Sequence, residues 1–283
     1  MAGNGIGMRR LLRLYALYAR MDWAWLRRDT RLGLLVMGMD LLTAAASASA
    51  VFLLAWRFDG VGGMNRWDVL FMLGYVVCVH GLCVLFFSNN VGHVSRRIAR
   101  GQFDHMMVQP LPYAVQLLTE GFAPFTAWQG LACGLGVMAW ALNGLGRVPG
   151  ALWLLGLAGY LLLSLAVVIG MSYLLGALAF RWPVACEEIS STVVDDLFGV
   201  LANYPLSAMP GAVRMALLTV APAGLMGWFP ACALLGKPPL GLPALYPLLA
   251  AGVIWGLAAF AFRKGLKYYA KTGSTRYRSY GHR

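Results

Sequence analysis

Four of the chain's 11 acidic residues lie close together in the stretch CEEISSTVVDDL: Glu187, Glu188, Asp195 and Asp196. Glu188 and Asp195 are seven residues apart, so on a helix they share one face. A carboxylate at the middle of a membrane span costs at least ~2.5–3.5 kcal/mol, so it is protonated, paired or exposed to an aqueous cavity. If this helix crosses a membrane, we expect Glu188, Asp195 and Asp196 to line a polar translocation path or to bind a cationic group. If the span begins later, the acids lie in a cytoplasmic or interfacial helix.

Other residues with reactive side chains form no catalytic or metal-binding pattern. His93 and His105 lack ligand spacing to cysteine or acid, and the five cysteines contain no CxxC pair, so we predict no metal site. Ser172 has no GxSxG context, which argues against a hydrolase. His80, within an apolar run, is interpreted as a packed histidine rather than a proton relay. The sequence therefore predicts no catalytic residue and no enzymatic activity of the chain alone.

The composition is typical of an integral membrane protein. Hydrophobic residues make up 60% of the 283 residues and charged residues 12%, with a mean hydropathy of +0.67, whereas soluble domains carry about 25% charged residues. The formal charge of +12 could attract nucleic acid, but the basic residues lie at the ends of apolar runs. This placement indicates anionic headgroups and membrane topology instead, and no nucleic-acid partner.

Apolar runs of span length predict an all-α membrane protein with six transmembrane helices. The predicted spans are residues 32–56, 69–90, 121–145, 151–180, 184–204 and 244–262. With both termini cytoplasmic, 18 lysines and arginines lie inside and 5 outside, which is the asymmetry expected of cytoplasmic loops. A seventh crossing would place the basic tail, residues 263–283, outside. We therefore predict that residues 207–236, with Pro222 and Pro230, form an external re-entrant hairpin packed within protein.

The N-terminal stretch, residues 8–30, predicts an amphipathic helix. Its arginines fall in one sector at 100° per residue, and leucine, tyrosine and tryptophan side chains fill the opposite sector. Such a helix lies in the plane of an anionic inner leaflet. Asp22 falls on the apolar side, where the pattern gives it no role.

A second polar segment, residues 96–112, separates two apolar runs and predicts a short cytoplasmic helix. Arg97, Arg100, Asp104 and His105 share one side, while apolar side chains occupy the other: Ile98, Ala99, Phe103, Met106 and Met107. Prolines end the segment. From the residues alone, an ordinary positive-inside loop and a helix with a docking face both remain open.

The motif GQFDHMMVQPLP in this segment resembles the loop G-x-[LF]-D-x-x-L-x-x-P-[LF] of permease subunits of type-2 ABC exporters, in the six-span branch without a fused ATPase. Met107 replaces the usual leucine, and Gln109 stands where a basic residue is common. Residues 204–236, beginning YPLSAMP, are similar to the family's pattern before its last span. GLKYY, ending at Tyr269, is similar to the family's Gly-Leu-Lys-x-Tyr tail.

The resemblance implies that the whole chain, residues 1–283, is one transmembrane permease domain in a bacterial inner membrane. The loop would be a coupling helix that docks on a separate ATPase, present in two copies, which binds the ATP and Mg²⁺; a second permease chain, identical or homologous, would complete the path. No GxxxxGK[ST] motif occurs in these 283 residues, so we predict no cofactor in the chain itself. The residues expected to couple to the ATPase are Arg97, Arg100, Gly101, Phe103, Asp104, Met107, Pro110 and Leu111.

An alternative function is a proton- or cation-coupled secondary transporter that uses Glu187, Glu188, Asp195 and Asp196 as a relay. Inverted repeats would favour it, and the sequence contains none that we can detect. Transport by such a protein would be abolished by uncouplers and would not depend on ATP.

Overall fold

Long apolar runs bounded by charged, glycine or proline residues form the helices of the chain. A computed structural model describes residues 8–87, 97–98, 101–109, 111, 113–183, 185–186, 198–237 and 239–273. The helices in these ranges are α1 (Met8–Arg28), α2 (Thr30–Arg57), α3 (Arg66–Phe87), α4 (Gln102–Val108), α5 (Tyr113–Thr119), α6 (Trp128–Gly144), α7 (Ala151–Gly176), α8 (Phe198–Leu201), α9 (Gly211–Thr219), α10 (Trp228–Leu234) and α11 (Tyr246–Thr272). Short 3-10 helices cover Ala177–Phe180, Leu206–Ala208, Ala223–Leu225 and Pro239–Gly241. The predicted all-α class is confirmed.

Within the described residues, β-structure is limited to one small hairpin between α2 and α3. Strands β1 (Gly60–Val61) and β2 (Met64–Asn65) pair antiparallel, with Val61 opposite Met64. The two residues between the strands, Gly62 and Gly63, both have positive φ, at 60° and 81°, which a tight two-residue hairpin turn requires. The hairpin closes the connection between two long helices.

Four described helices are long and apolar enough to cross a membrane: Thr30–Arg57, Arg66–Phe87, Ala151–Phe180 and Tyr246–Thr272. They coincide with four of the predicted spans. A fifth prediction, residues 121–145, contains α6, whose 17 residues are near the lower limit for a span of about 17–25 residues. The sixth, residues 184–204, lies mostly outside the described residues. The chain is thus a multi-pass membrane protein, and six remains the predicted number of spans.

Helices α9 and α10 occupy the region predicted as a re-entrant hairpin. They are bent by 73° relative to each other around the Pro222 segment, a geometry open to a broken span or to a re-entrant loop. Backbone carbonyls of this region accept hydrogen bonds from neighbouring elements: Leu235 O from Arg147, Leu234 O from Trp153 and Leu218 O from Tyr246. These bonds hold the bent segment against α7 and α11. Its re-entry from the outer face stays a prediction.

Helix α3 lies at the centre of the main hydrophobic core and packs most closely against α6. Glycines make this approach possible: a Cβ at Gly81 would lie 2.4 Å from the backbone nitrogen of Leu131, and one at Gly134 would lie 2.6 Å from that of Cys78. Gly81 on α3 and Gly134 on α6 therefore allow backbone contact between the two helices, as small residues do between membrane helices.

The start of α3 is fixed by a reciprocal pair of hydrogen bonds. Asn65 Oδ1 accepts from the backbone nitrogen of Asp68, and Asp68 Oδ2 accepts from that of Asn65, both at 2.8 Å. The same carboxylate is buried and forms an ion pair with Lys237, which follows α10. This pair joins the N-terminus of α3 to the bent segment.

Candidate functional site

The segment singled out by its motif contains the predicted short helix. Helix α4 begins after Gly101, which has a φ of 69°. This left-handed conformation is adopted readily only by glycine, and it explains the glycine of the motif. Arg100 and Pro110 of the predicted coupling set lie outside the described residues.

Phe103, on the first turn of α4, is the centre of an aromatic cluster. Its side chain is 0% exposed. Its ring centroid lies 5.3 Å from that of Phe180, 5.9 Å from that of Tyr269 and 6.0 Å from that of Tyr113. Because Phe180 follows α7, Tyr269 belongs to α11 and Tyr113 opens α5, one phenylalanine joins α4 to three other elements.

Asp104 and Tyr269 connect the loop motif to the tail motif. The Tyr269 hydroxyl donates a hydrogen bond of 2.8 Å to Asp104 Oδ1. Gly265, four residues earlier on the same face of α11, leaves room for the ring of Phe180, since a Cβ there would lie 2.4 Å from Phe180 Cδ2. The two motifs, distant in sequence, are therefore parts of one packed structure.

This packing corrects the orientation expected for α4. The apolar side of the amphipathic pattern was interpreted as a docking face, but Ile98, Phe103 and Met106 are buried within the chain's own second hydrophobic cluster. Met107, at 41% exposed, and Val108, at 82%, are the large apolar side chains that α4 presents at its C-terminal end. The pattern identified an apolar face correctly, but the chain itself covers Ile98, Phe103 and Met106 of that face and leaves Met107 partly exposed.

The polar residues of the segment also bond within the chain. Arg97 forms an ion pair with Glu120. Gln116 on α5 donates from Nε2 to the carbonyl oxygen of Met106 at 3.1 Å and to that of Leu111 at 2.7 Å. These contacts fix both ends of α4, so it is attached rigidly to the bundle.

Helix α1 packs on the segment between α5 and α6, and Asp22 anchors it. Asp22 Oδ2 accepts from the backbone nitrogens of Phe125 (2.7 Å) and Thr126 (3.2 Å), while Oδ1 accepts from Thr126 Oγ1 at 2.6 Å. The ring of Tyr15 packs edge-on against Phe122 at 5.0 Å between centroids. Asp22 thus lies on the apolar side of α1 because that side faces protein.

Tyr18 on α1 lies close enough to the Arg97–Glu120 ion pair for both charges to influence its pKa. Burial raises the pKa of Tyr18 above its ordinary value, the Glu120 carboxylate raises it further, and Arg97 lowers it. The tyrosine therefore stays neutral at physiological pH beside the ion pair. Helix α1 is confirmed as a helix, and its position on a membrane surface stays a prediction.

The acidic candidates Glu187, Glu188, Asp195 and Asp196 lie outside the described residues, so their role in a translocation path stays a prediction. In the part of the chain that is described, no group of three or more His, Cys, Asp or Glu side chains could hold a metal ion.

Sequence reasoning assigned no role to Asp22 and did not consider Asp40, although the structure places both acids in contacts. Asp40 lies within the first span and accepts a 3.4 Å hydrogen bond from Gln129 Nε2. The available signal was simple: each is a lone acid on an otherwise apolar helix face or run, where an unpartnered carboxylate is costly.

Comparison with protein families gives a match to the family described as ABC-2 family transporter protein, over residues 41–273. Comparison with curated proteins and with solved structures gives no match. The family match runs from the first span to the end of α11 and includes both motifs joined by the Asp104–Tyr269 bond. The chain therefore belongs to the ABC-2 family and is a membrane-spanning permease subunit of an ABC transporter.

Proposed function

We propose that the chain forms the translocation path of an ATP-driven export complex in a bacterial inner membrane, and that α4 couples it to a separate ATPase. The complex contains two permease chains, identical or homologous, and two ATPase subunits that bind ATP and Mg²⁺. Both termini face the cytoplasm, and the basic face of α1 contacts anionic lipid headgroups.

The observation that carries this proposal is the two-sided character of α4. Its inner side is anchored through Phe103 and Asp104, while Met107 and Val108 are exposed at its C-terminal end. Exposed apolar side chains beside polar ones are typical of the core and rim of a protein interface. Phe103 and Asp104 then act in coupling by holding α4 to the spans. The ATPase contacts the exposed C-terminal end of α4, at Met107 and Val108.

The contacts of α4 suggest where a displacement of the helix is transmitted. Phe103 leads to the ends of α7 and α11, and Gln116 leads to α5. We infer that closure of the ATPase pair pushes on Val108 and its neighbours and moves these elements together, so that the two permease chains rock between inward- and outward-open states.

The experiment is purification of the wild-type chain from its native host in mild detergent, with co-purifying proteins identified by mass spectrometry. We expect a stoichiometric ATPase that carries a GxxxxGK[ST] motif. Val108→Asp abolishes co-purification of the ATPase, because it places a charge in the interface. It does not change the thermal stability of the chain.

Val148→Asp is the matched control, because Val148 is 95% exposed in the loop between α6 and α7 and far along the chain from the coupling motif. It retains the ATPase. The proposal fails if wild type yields no ATPase under conditions that keep other ABC complexes intact. Retention of the ATPase by Val108→Asp refutes the role of α4.

A further inference from the structure

An open cleft lies between the first span and the tightly packed pair α3 and α6. Side chains from all three helices line it, with Asp40 from α2, His80 from α3 and Gln129 from α6 as its polar members. Ala127, next to the segment that Asp22 holds, completes the wall near the start of α6. The cleft thus combines polar groups with a membrane-spanning location.

Two hydrogen-bond acceptors in this cleft have unused capacity. The Gln129 side chain is 7% exposed, and its Oε1 is buried without a hydrogen-bond partner among the described residues. Its Nε2 donates to Asp40 Oδ2, which fixes the amide so that Oε1 is the free atom. A carboxylate offers about four acceptor positions, and the bond from Gln129 is long. His80 lies close enough to interact electrostatically with Asp40.

The location excludes a purely lipid-facing role for Asp40. It lies ten residues after the start of α2, about 15 Å along a helix, which is well inside a hydrocarbon layer about 30 Å thick. Both Asp40 and His80 are exposed in the single chain. Ionisable groups within membranes almost always face a water-filled cavity or a partner group, so the cleft is expected to hold a polar ligand or water.

We propose that Asp40 and Gln129 form a binding site for a primary ammonium group. A carboxylate and an amide oxygen that are both short of donors complement a cation with several N–H groups, and hydrogen bonds to charged groups are the stronger ones. The cation also compensates the charge of Asp40. The binding site itself does not depend on the proposed export function. Only the further step, that the bound ammonium compound is a transported substrate, rests on that function. The ammonium group comes either from a soluble amine or from the headgroup of an amine-bearing lipid.

The test measures binding to the purified chain in nanodiscs, without any ATPase. Three probes share one alkyl tail: dodecylammonium carries charge and N–H donors, dodecyltrimethylammonium carries charge alone, and dodecanol carries one neutral donor. We expect dodecylammonium to bind tightest. Asp40→Asn weakens its binding about tenfold or more, the loss expected for a hydrogen bond to a charged group. It weakens the binding of dodecyltrimethylammonium less, because that probe loses only the attraction between charges, and it leaves the binding of dodecanol unchanged.

Two further variants and a chemical probe keep the test decisive. Gln129→Met removes the free acceptor at similar volume and weakens dodecylammonium binding. Ser47→Ala does not, because Ser47 lies on the same helix as Asp40 but donates its hydrogen bond to Ala44 of that helix. In wild type, dodecylammonium protects Asp40 from a hydrophobic carbodiimide, as read by peptide mass spectrometry. Equal binding by wild type and Asp40→Asn, or absence of this protection, overturns the site.

Lipid composition distinguishes the two sources. If the lipid headgroup is the ligand, nanodiscs of phosphatidylethanolamine weaken dodecylammonium binding relative to those of phosphatidylcholine; if it is a soluble amine, the affinities agree. An intact site in a chain that co-purifies with no ATPase would refute the export function and leave the site standing. A chain that co-purifies with the ATPase but shows no Asp40-dependent binding of dodecylammonium would refute the site and leave the export function standing.

Discussion

Replacement of Phe103 by alanine separates an anchoring role from a docking role. The ring is fully buried and lies within 5.3–6.3 Å of four aromatic rings, between centroids. Truncation of a buried phenylalanine to alanine costs about 3–5 kcal/mol, and each aromatic pair adds about 0.5–1.5 kcal/mol beyond its buried area. We therefore expect Phe103→Ala to destabilise the isolated chain.

The assay compares the apparent melting temperature of the purified chain, read by size-exclusion after heating, with its retention of the ATPase. Phe103→Ala lowers the melting temperature. It also reduces retention of the ATPase, because α4 is no longer held in position. Phe260→Ala is the control, since Phe260 is 67% exposed on the same helix as Phe262 and Tyr269, and it leaves both readouts unchanged. If Phe103→Ala abolished ATPase binding at an unchanged melting temperature, the ring would contact the partner and the anchoring role would be wrong.

Three other substitutions test contacts of the fold. Asp22→Ala removes hydrogen bonds to a charged acceptor, each worth about 1.5–3 kcal/mol, so the backbone amides of Phe125 and Thr126 exchange with deuterium about tenfold faster or more. Gly81→Leu introduces side-chain atoms where the backbone of α6 already lies, and we expect a loss of monodisperse protein because backbone cannot move aside. Lys237→Met leaves the buried carboxylate of Asp68 without its cation and lowers the melting temperature. Because the Lys237 side chain is 43% exposed, the cost lies between the value for an exposed pair, about 0–1 kcal/mol, and that for a fully buried pair, about 3–5 kcal/mol.

Each of these predictions has a matched comparison. Asp22→Asn keeps an acceptor and accelerates exchange less than Asp22→Ala; equal rates in all three proteins would contradict the anchor. Gly136→Leu is tolerated, because Gly136 has no neighbour within 4 Å in the described chain. An equal loss of monodisperse protein for both glycine variants would contradict the close backbone contact between α3 and α6. Asp59→Asn breaks an exposed ion pair, worth about 0–1 kcal/mol, so it changes the melting temperature little. A similarly small effect of Lys237→Met would mean that the ion pair of Lys237 with the buried Asp68 does not stabilise the fold.

The sequence predicted the elements well because each depends on local composition. Apolar runs of span length, charged ends and the amphipathic pattern of residues 8–30 correspond to α2, α3, α7, α11 and α1. Proline predicted where α4 ends and that the region of Pro222 is irregular. These features follow from the preferences of neighbouring residues and need no knowledge of the rest of the fold.

The orientation of α4 could not be predicted in the same way. Periodicity shows that Phe103 and Met106 share an apolar face, but whether that face meets another protein or the chain's own α7 and α11 depends on contacts about 80 to 165 residues away. The hydrogen bond that Thr126 donates to Asp22 likewise spans 104 residues. Asp40 escaped notice because hydropathy averages a single acid away over a long run.

The glycine contacts between α3 and α6 have a consequence for the mechanics of the subunit. Because the backbones of α3 and α6 are in contact, neither helix can slide or tilt against the other without losing that contact. We therefore expect the two helices to move as one rigid unit. The most apolar stretch of α3 is 61% buried in the chain, whereas that of α2 is 6% buried. We therefore expect the first span to move more easily than α3 and α6 move relative to each other. The Asp40 cleft lies between α2 and that pair, so any such movement of α2 would change its width.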